Sequence, residues 1–172
     1  MKKVLIIIIL IIVITIICFF IFRKKTSITS IQSLHFSYTT GTAIYSNVSY
    51  DLVCNEKCIV TIKPNNIPDK EALETEVSQE VKKEIEKVLK KYHVETWDKF
   101  NKSDQYVMDG SSFSISIDME DNNTISASGY MKWPKNYNEV SNNLDSIFMK
   151  IYNQNKGSNK WKKNYWYLKT TI

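Results

Sequence analysis

The chain has 172 residues, a formal net charge of +5, 43% hydrophobic residues, four glycines, three prolines and three cysteines. That apolar share, with so little glycine and proline, excludes a wholly disordered or linker-dominated chain. The positive charge is confined to the ends: residues 1–25 carry +5, residues 154–172 carry +5 with no acid, and the body between them holds all 18 acids and is −5. An acidic body excludes the basic face that a nucleic-acid partner requires, so none is expected.

In chain order, residues 4–22 contain no charge, and Thr15 is their only clearly polar side chain. A hydrocarbon core of about 30 Å needs roughly 20 helical residues at ~1.5 Å each, so the run is long enough to span it. It ends Cys18-Phe19-Phe20-Ile21-Phe22-Arg23, without the small residues that signal cleavage requires. A lipoprotein site is also disfavoured, because bulky Ile17 precedes Cys18. Residues 1–25 are therefore expected to be a retained transmembrane signal anchor with basic flanks. Lys2 and Lys3 precede it and Arg23, Lys24 and Lys25 follow, so the positive-inside count is nearly balanced. The very short leader and a downstream cysteine pair place residues 26–152 outside the cell membrane, as an extracytoplasmic domain on a single-pass anchor.

Residues 31–38 alternate Leu34, Phe36 and Tyr38 with Ser33, His35 and Ser37, the period of a half-buried strand. Thr39-Thr40-Gly41 turns the chain. A second strand runs from Ile44 to Cys54, and after Asn55-Glu56-Lys57 a third returns over residues 58–63. Pro68-Asp69 is expected to open a helix whose stripe is Leu73, Val77, Val81, Ile85, Val88, Leu89 and Tyr92. Asp69, Glu71 and Glu74 lie at its start and Lys90, Lys91 and His93 at its end, matching the macrodipole. Asp109-Gly110 introduces a second hairpin, with Phe113, Ile115, Ile117 and Met119 on one face, Asp121-Asn122-Asn123 at the turn, and Ile125, Ala127, Gly129 and Met131 returning. Val140, Leu144, Ile147, Phe148 and Ile151 mark a second helix after Pro134. The fold class is α+β: a transmembrane helix, then an antiparallel sheet in the order β-β-β-α-β-β-α, with two amphipathic helices. A last strand over Tyr165 to Leu168 is one reading of the tail.

Cys54 and Cys58 flank a hairpin loop, where opposed Cα atoms sit ~4.5–5.5 Å apart, within disulfide reach. In an oxidising compartment they form a structural disulfide; in the cytosol they are two thiols. Half of a zinc site is the other reading, but no further cysteine pair or histidine cluster completes one. His35 and His93 lack a neighbouring nucleophile and orienting acid. No cofactor or metal motif is present.

Trp97, Phe100, Asp98, Asp104, Asp109 and Gly110 form a dense aromatic–acidic stretch. Its spacing fits no EF-hand loop. Trp97 and Phe100 are expected to fill the core, and Gly110 to serve a turn needing φ > 0. The run Trp97-Asp98-x-Phe100, Asp104, Asp109-Gly110-x-Ser112-Phe113-Ser114, Ile125-x-Ala127-Ser128-Gly129 and Pro134-x-Asn136-Tyr137 resembles an uncharacterised domain of secreted or membrane-anchored proteins from low-GC Gram-positive bacteria. The resemblance covers about residues 85–148 and implies an envelope location without an activity.

Residues 153–172 form a basic aromatic tail in which Lys160, Trp161, Lys162 and Lys163 are the candidate contacts. An interfacial membrane belt, an anionic-polymer contact, single-stranded nucleic-acid stacking (disfavoured for an external domain) and packing of residues 165–168 on the sheet are its competing readings. The expected function is a binding or scaffolding module at the cell envelope rather than an enzyme. Its partners would be the membrane and another envelope protein or an anionic envelope polymer. The alternative is an envelope enzyme with a dispersed carboxylate site at Asp98, Asp104 and Asp109.

Overall fold

The computed structural model describes residues 12–13, 27–39, 41, 47–65 and 71–156. All of the expected span except Ile12 and Val13 lies outside these, as do Lys160, Trp161, Lys162 and Lys163 of the tail. Among the described residues no helix is long and apolar enough to cross a membrane.

The domain is α+β. Its elements are β1 (Ile31–Thr39), β2 (Asn47–Cys54), β3 (Cys58–Lys63), β4 (Leu73–Val77), α1 (Gln79–Lys91), a 3-10 turn (Val94–Trp97), β5 (Asn101–Ser103), β6 (Ser112–Met119), β7 (Thr124–Tyr130) and α2 (Tyr137–Asn155). They build one seven-stranded sheet in the order β4-β3-β2-β1-β6-β7-β5. The two expected hairpins form with antiparallel register, Cys54 opposite Cys58 and Asp118 opposite Thr124. The longest-range pairing joins them: β1 lies antiparallel to β6, with Ser33 to Tyr38 opposite Asp118 to Phe113.

Two expectations are corrected. The first helix begins at Gln79, and Leu73–Val77 is a strand paired with β3. Leu73 and Val77 are four residues apart, a separation that satisfies both a period of two and a period of 3.6. Glu74 and Glu76 point outward and β-branched Thr75 lies between them, so the local pattern is the strand's. Glu80, not Glu71 or Glu74, is the acid of the first helical turn, while Lys90 and Lys91 do close the last. The sheet is also mixed rather than antiparallel, because three-residue β5 runs parallel to β7. Asn101-Lys102-Ser103 is too short and polar to show a period.

Both helices cover the same face. α1 starts beside β4 and crosses the sheet: the Lys82 ammonium donates to Glu120 beyond β6 at 2.6 Å, and Glu86 accepts from the Ile31 N–H at 2.9 Å. The chain then reaches β7, where Lys99 N–H donates to the Ser126 carbonyl at 2.8 Å. α2 returns from the β7 side over β1 and β2 to β3 and β4, stacking Phe148 on Tyr50 with ring centroids 4.6 Å apart. Leu34, Phe36, Leu52, Val60, Ile115 and Ile117 from the sheet are buried against Ile85, Leu89, Val140, Leu144 and Phe148 from the helices. At ~1.5–3 kcal/mol for each large apolar side chain, this layer is the main source of stability.

The other face of the sheet is polar along β1 and β6, with Val53 and Ile59 exposed on it at the Cys54 end. Ser37 and Ser114 bond at 2.8 Å, Thr39 and Ser112 at 2.9 Å, and Ser33 donates to Asp118 at 2.7 Å. His35 sits in this face against Asp51 at 2.6 Å, so the histidine falls on the expected side with a cross-strand carboxylate partner.

Candidate functional site

At the Thr39 end of the sheet, residues 104–111 leave β5 and fold over the end of β7. The Asp104 N–H donates to the Tyr130 carbonyl at 2.9 Å, and the Lys132 ammonium pairs with its carboxylate at 3.1 Å. The same carboxylate accepts the Tyr106 N–H at 3.2 Å, a local turn. At the other end of the loop, Gly110 N–H donates to the Tyr130 hydroxyl at 2.8 Å, and Ser111 and Met131 exchange bonds through the Met131 sulfur at 3.2 Å and the Ser111 carbonyl at 3.0 Å. The loop is thus tied to the sheet at both ends.

What it holds outward is apolar. Tyr106 is 96% and Met108 94% exposed, and Met131 and Trp133 at the adjoining end of β7 are 37% and 39% exposed. Trp133 is held by stacking on Tyr137 at 4.6 Å. Met131 has φ of 54°, a left-handed conformation that costs a residue with a Cβ about 1–2 kcal/mol. Gly110 lets the Met131 side chain pack against the loop: a Cβ there would fall 2.5 Å from the Met131 Cγ, and that side chain would have to shift. The expectation of positive φ at Gly110 is corrected; among the described glycines that conformation belongs to Gly41.

The sequence-predicted residues divide. Trp97 is 1% exposed and its indole N–H donates to the Lys135 carbonyl at 2.9 Å, which makes it core, while half-buried Phe100 packs against that core. Asp98 accepts from the Ser126 N–H at 3.3 Å and Asp104 is fastened at Tyr130. Those attachment points are four residues apart on one strand, or about 13 Å. A hydrogen bond from Lys132 holds the Asp104 carboxyl below its usual range. Asp109 is exposed on the tip loop. Asp98 and Asp104 are thus fastened at separate points along β7, while Asp109 stands on the same loop as Asp104. Among the described residues, no group of three His, Cys, Asp or Glu could hold a metal ion.

Cys54 and Cys58 are disulfide-bonded, with Cα atoms 4.1 Å apart, at the opposite end of the sheet from the tip.

A second cluster went unread in the sequence. On α2, Asp145 lies against Tyr38, whose hydroxyl donates to its Oδ2 at 2.9 Å, while its Oδ1 is buried without a hydrogen-bond partner among the described residues. Burial raises the Asp145 pKa, and the Tyr50 and Tyr38 hydroxyls beside it counter the rise. Burial first, and then the nearby carboxylate, also pushes the Tyr38 and Tyr50 hydroxyls up. Tyr137 is pushed up to about 12, by burial above all. The readable signal was that Asp145 follows Leu144 directly, at the margin of the apolar stripe. The tip gave no such signal, because Tyr106 and Met108 sit in a polar, aperiodic stretch.

No protein-family model matches the chain, and a comparison with curated proteins finds no match.

Proposed function

We propose that the protein is a single-pass, membrane-anchored binding or scaffolding module of the cell envelope, with an extracytoplasmic domain whose contact surface is the tip. The observation that carries this reading is the exposure of Tyr106 and Met108 on a loop fastened at both ends. Leaving either in water forgoes ~1.5–3 kcal/mol of burial. Aromatic and methionine side chains are also the types enriched at protein interfaces. A loop ordered in advance spares the partner about 1–2 kcal/mol per residue of ordering.

Direction supports the reading as well. Residues 4–22 precede β1, and the tip lies at the far end of that strand, about 26 Å away at ~3.3 Å per residue. Anchored through those residues, the domain would hold its tip away from the bilayer, toward another envelope protein. The disulfide and the resemblance to secreted and anchored domains agree with an outside location.

The test uses cells expressing the full chain. A photocrosslinking residue at position 106 or 108 should give a discrete adduct with another envelope protein, and one at Glu84 on α1 should not. Identical behaviour at all three positions would overturn the tip as the contact surface. A membrane-impermeant thiol reagent applied after reduction should label Cys54 and Cys58 on intact cells. Labelling only after lysis would overturn the extracytoplasmic placement.

A further inference from the structure

The tip loop is closed onto the sheet by a thioether. At its Ser112 end, the Tyr130 hydroxyl accepts the Gly110 N–H at 2.8 Å, the Met131 sulfur accepts the Ser111 N–H at 3.2 Å, and the Met131 N–H returns to the Ser111 carbonyl at 3.0 Å. Among the described residues, that sulfur is the one acceptor the Ser111 N–H meets. Packing is as close as bonding, since a Cβ on Gly110 would lie 2.5 Å from the Met131 Cγ and 2.8 Å from its sulfur. Met131 holds this position from a left-handed backbone, at φ 54°. The closure therefore depends on one apolar side chain packed against the loop.

That side chain is chemically alterable. Met131 is 37% exposed, Met108 on the loop itself is 94% exposed, and Met119 in the core is 1% exposed. A peroxide transfers one oxygen atom to a thioether: the O–O bond breaks, an S–O bond forms, sulfur loses two electrons to the peroxide, and hydrogen peroxide leaves as water. The product is a polar, chiral sulfoxide in place of a flexible apolar group, and sulfoxide reductases reverse it.

We infer that Met131 is an oxidation-sensitive fastening, at which peroxide converts the thioether to the sulfoxide and releases the Ser112 end of the tip loop. The inference adds regulation to the contact surface proposed above and rests on that reading. The added oxygen must be placed on a sulfur already pressed against Gly110 and turned toward the Ser111 N–H, so bond and packing do not both survive. A polar S–O group also favours water over the apolar contact it replaces. Without the closure, nothing offsets the left-handed backbone of Met131. The Asp104 end stays tied, through its N–H to the Tyr130 carbonyl at 2.9 Å and its carboxylate to Lys132 at 3.1 Å. Tyr106 and Met108 then remain on the molecule but lose their fixed presentation, and ordering them falls to the partner. Oxidation of Met108 acts in the same direction by making the apolar contact polar.

Amide hydrogen exchange on the full chain in detergent micelles, before and after hydrogen peroxide, tests the fastening without a partner. Sulfoxides are located by mass spectrometry. Conversion at Met131 should speed exchange at Gly110, Ser111 and Met131 at least about tenfold, leave the β1–β6 ladder protected, and be undone by a sulfoxide reductase. Met108→Leu should keep the response, and Met131→Leu should abolish it. Unchanged or slower exchange at these amides once Met131 is a sulfoxide would overturn the inference, as would the same response in Met131→Leu. In cells, peroxide should lower the yield of the adduct formed from position 106, and an undiminished yield with Met131 converted would overturn the regulation. Absence of that adduct from untreated cells would refute the contact surface alone, because the exchange result does not depend on it.

Discussion

Replacing Asp145 by asparagine should stabilise the domain at pH 7. Asp145 lies half-buried on α2, with one carboxylate oxygen bonded to the Tyr38 hydroxyl and the other buried and unpartnered among the described residues. Burial raises its pKa. An acid whose folded-state pKa exceeds its unfolded value, near 3.9, binds its proton more readily when folded. Its favourable contribution is complete below the unfolded pKa and is lost as pH rises through the folded pKa. At pH 7, well above its unfolded pKa, the acid is therefore on the costly side. The amide keeps an oxygen for Tyr38 and replaces the orphaned acceptor with a donor, beside the Tyr50 hydroxyl. An unsatisfied buried polar group costs about 1–3 kcal/mol, and partial exposure of the residue argues for the lower part of that range. A gain of about 1 kcal/mol corresponds to ~3–5 °C for a domain of this size. Thermal and urea unfolding at pH 7 and at pH 3.5 would measure it. The variant should lead at pH 7 and lose that lead at pH 3.5. A variant less stable than wild type at pH 7, or an equal advantage at both pH values, would refute the reasoning.

Gly129→Ala should cost about 1–3 kcal/mol in urea unfolding, because its Cβ would sit 2.6 Å from the Phe113 ring and against the Lys132 carbonyl. Trp97→Ala should cost about 3–5 kcal/mol by cavity formation, and Trp97→Phe should lose a smaller increment with the bond to Lys135. The paired change Cys54→Ser and Cys58→Ser should lower stability by only ~1–2 kcal/mol, since the bridge closes a very short loop. Lys82→Met acts through pH: a hydrogen bond from Lys82 holds the Glu120 carboxyl below its usual range. Such a group contributes stability above its unfolded pKa, about 4.3, and loses it as pH falls through the folded value. The variant should therefore show a flatter stability profile below about pH 5; an unchanged acid limb would count against the pair.

Residues whose neighbours repeat a single period were readable. Phe113, Ile115, Ile117 and Met119 announced β6, and Val140 through Ile151 announced α2, because alternation and the helical stripe are incompatible over that many positions. Leu73 and Val77 were not readable in this way, since a spacing of four belongs to both periods and only pairing with Cys58 to Ile62 decides between them. β5 was invisible because it exists through its parallel partner, β7, rather than through any preference of Asn101 or Lys102. Trp97 was correctly placed in the core by its size and neighbours. The tip could not be seen because exposure is set by where the loop is fastened, at Tyr130 and Met131, some twenty-five residues beyond Tyr106. Asp145 is illegible for a related reason: helix position shows that it borders the stripe, but only packing shows that Tyr38 and Tyr50 lie against it.

The antiparallel ladder between β1 and β6 has a mechanical consequence. The chain enters β1 at Ile31, at one end of the sheet, and the tip loop enters β6 at Ser112, at the other. Tension applied between these two points pulls neighbouring strands lengthwise in opposite directions. The bonds from Ser33 to Tyr38 then share the load simultaneously and must fail together, whereas a peeling force would break them one by one. The helices add resistance, because they lie across the direction of sliding. A domain strung between a tether at Ile31 and a grip at the tip would thus yield abruptly at a high threshold rather than unravel under small forces.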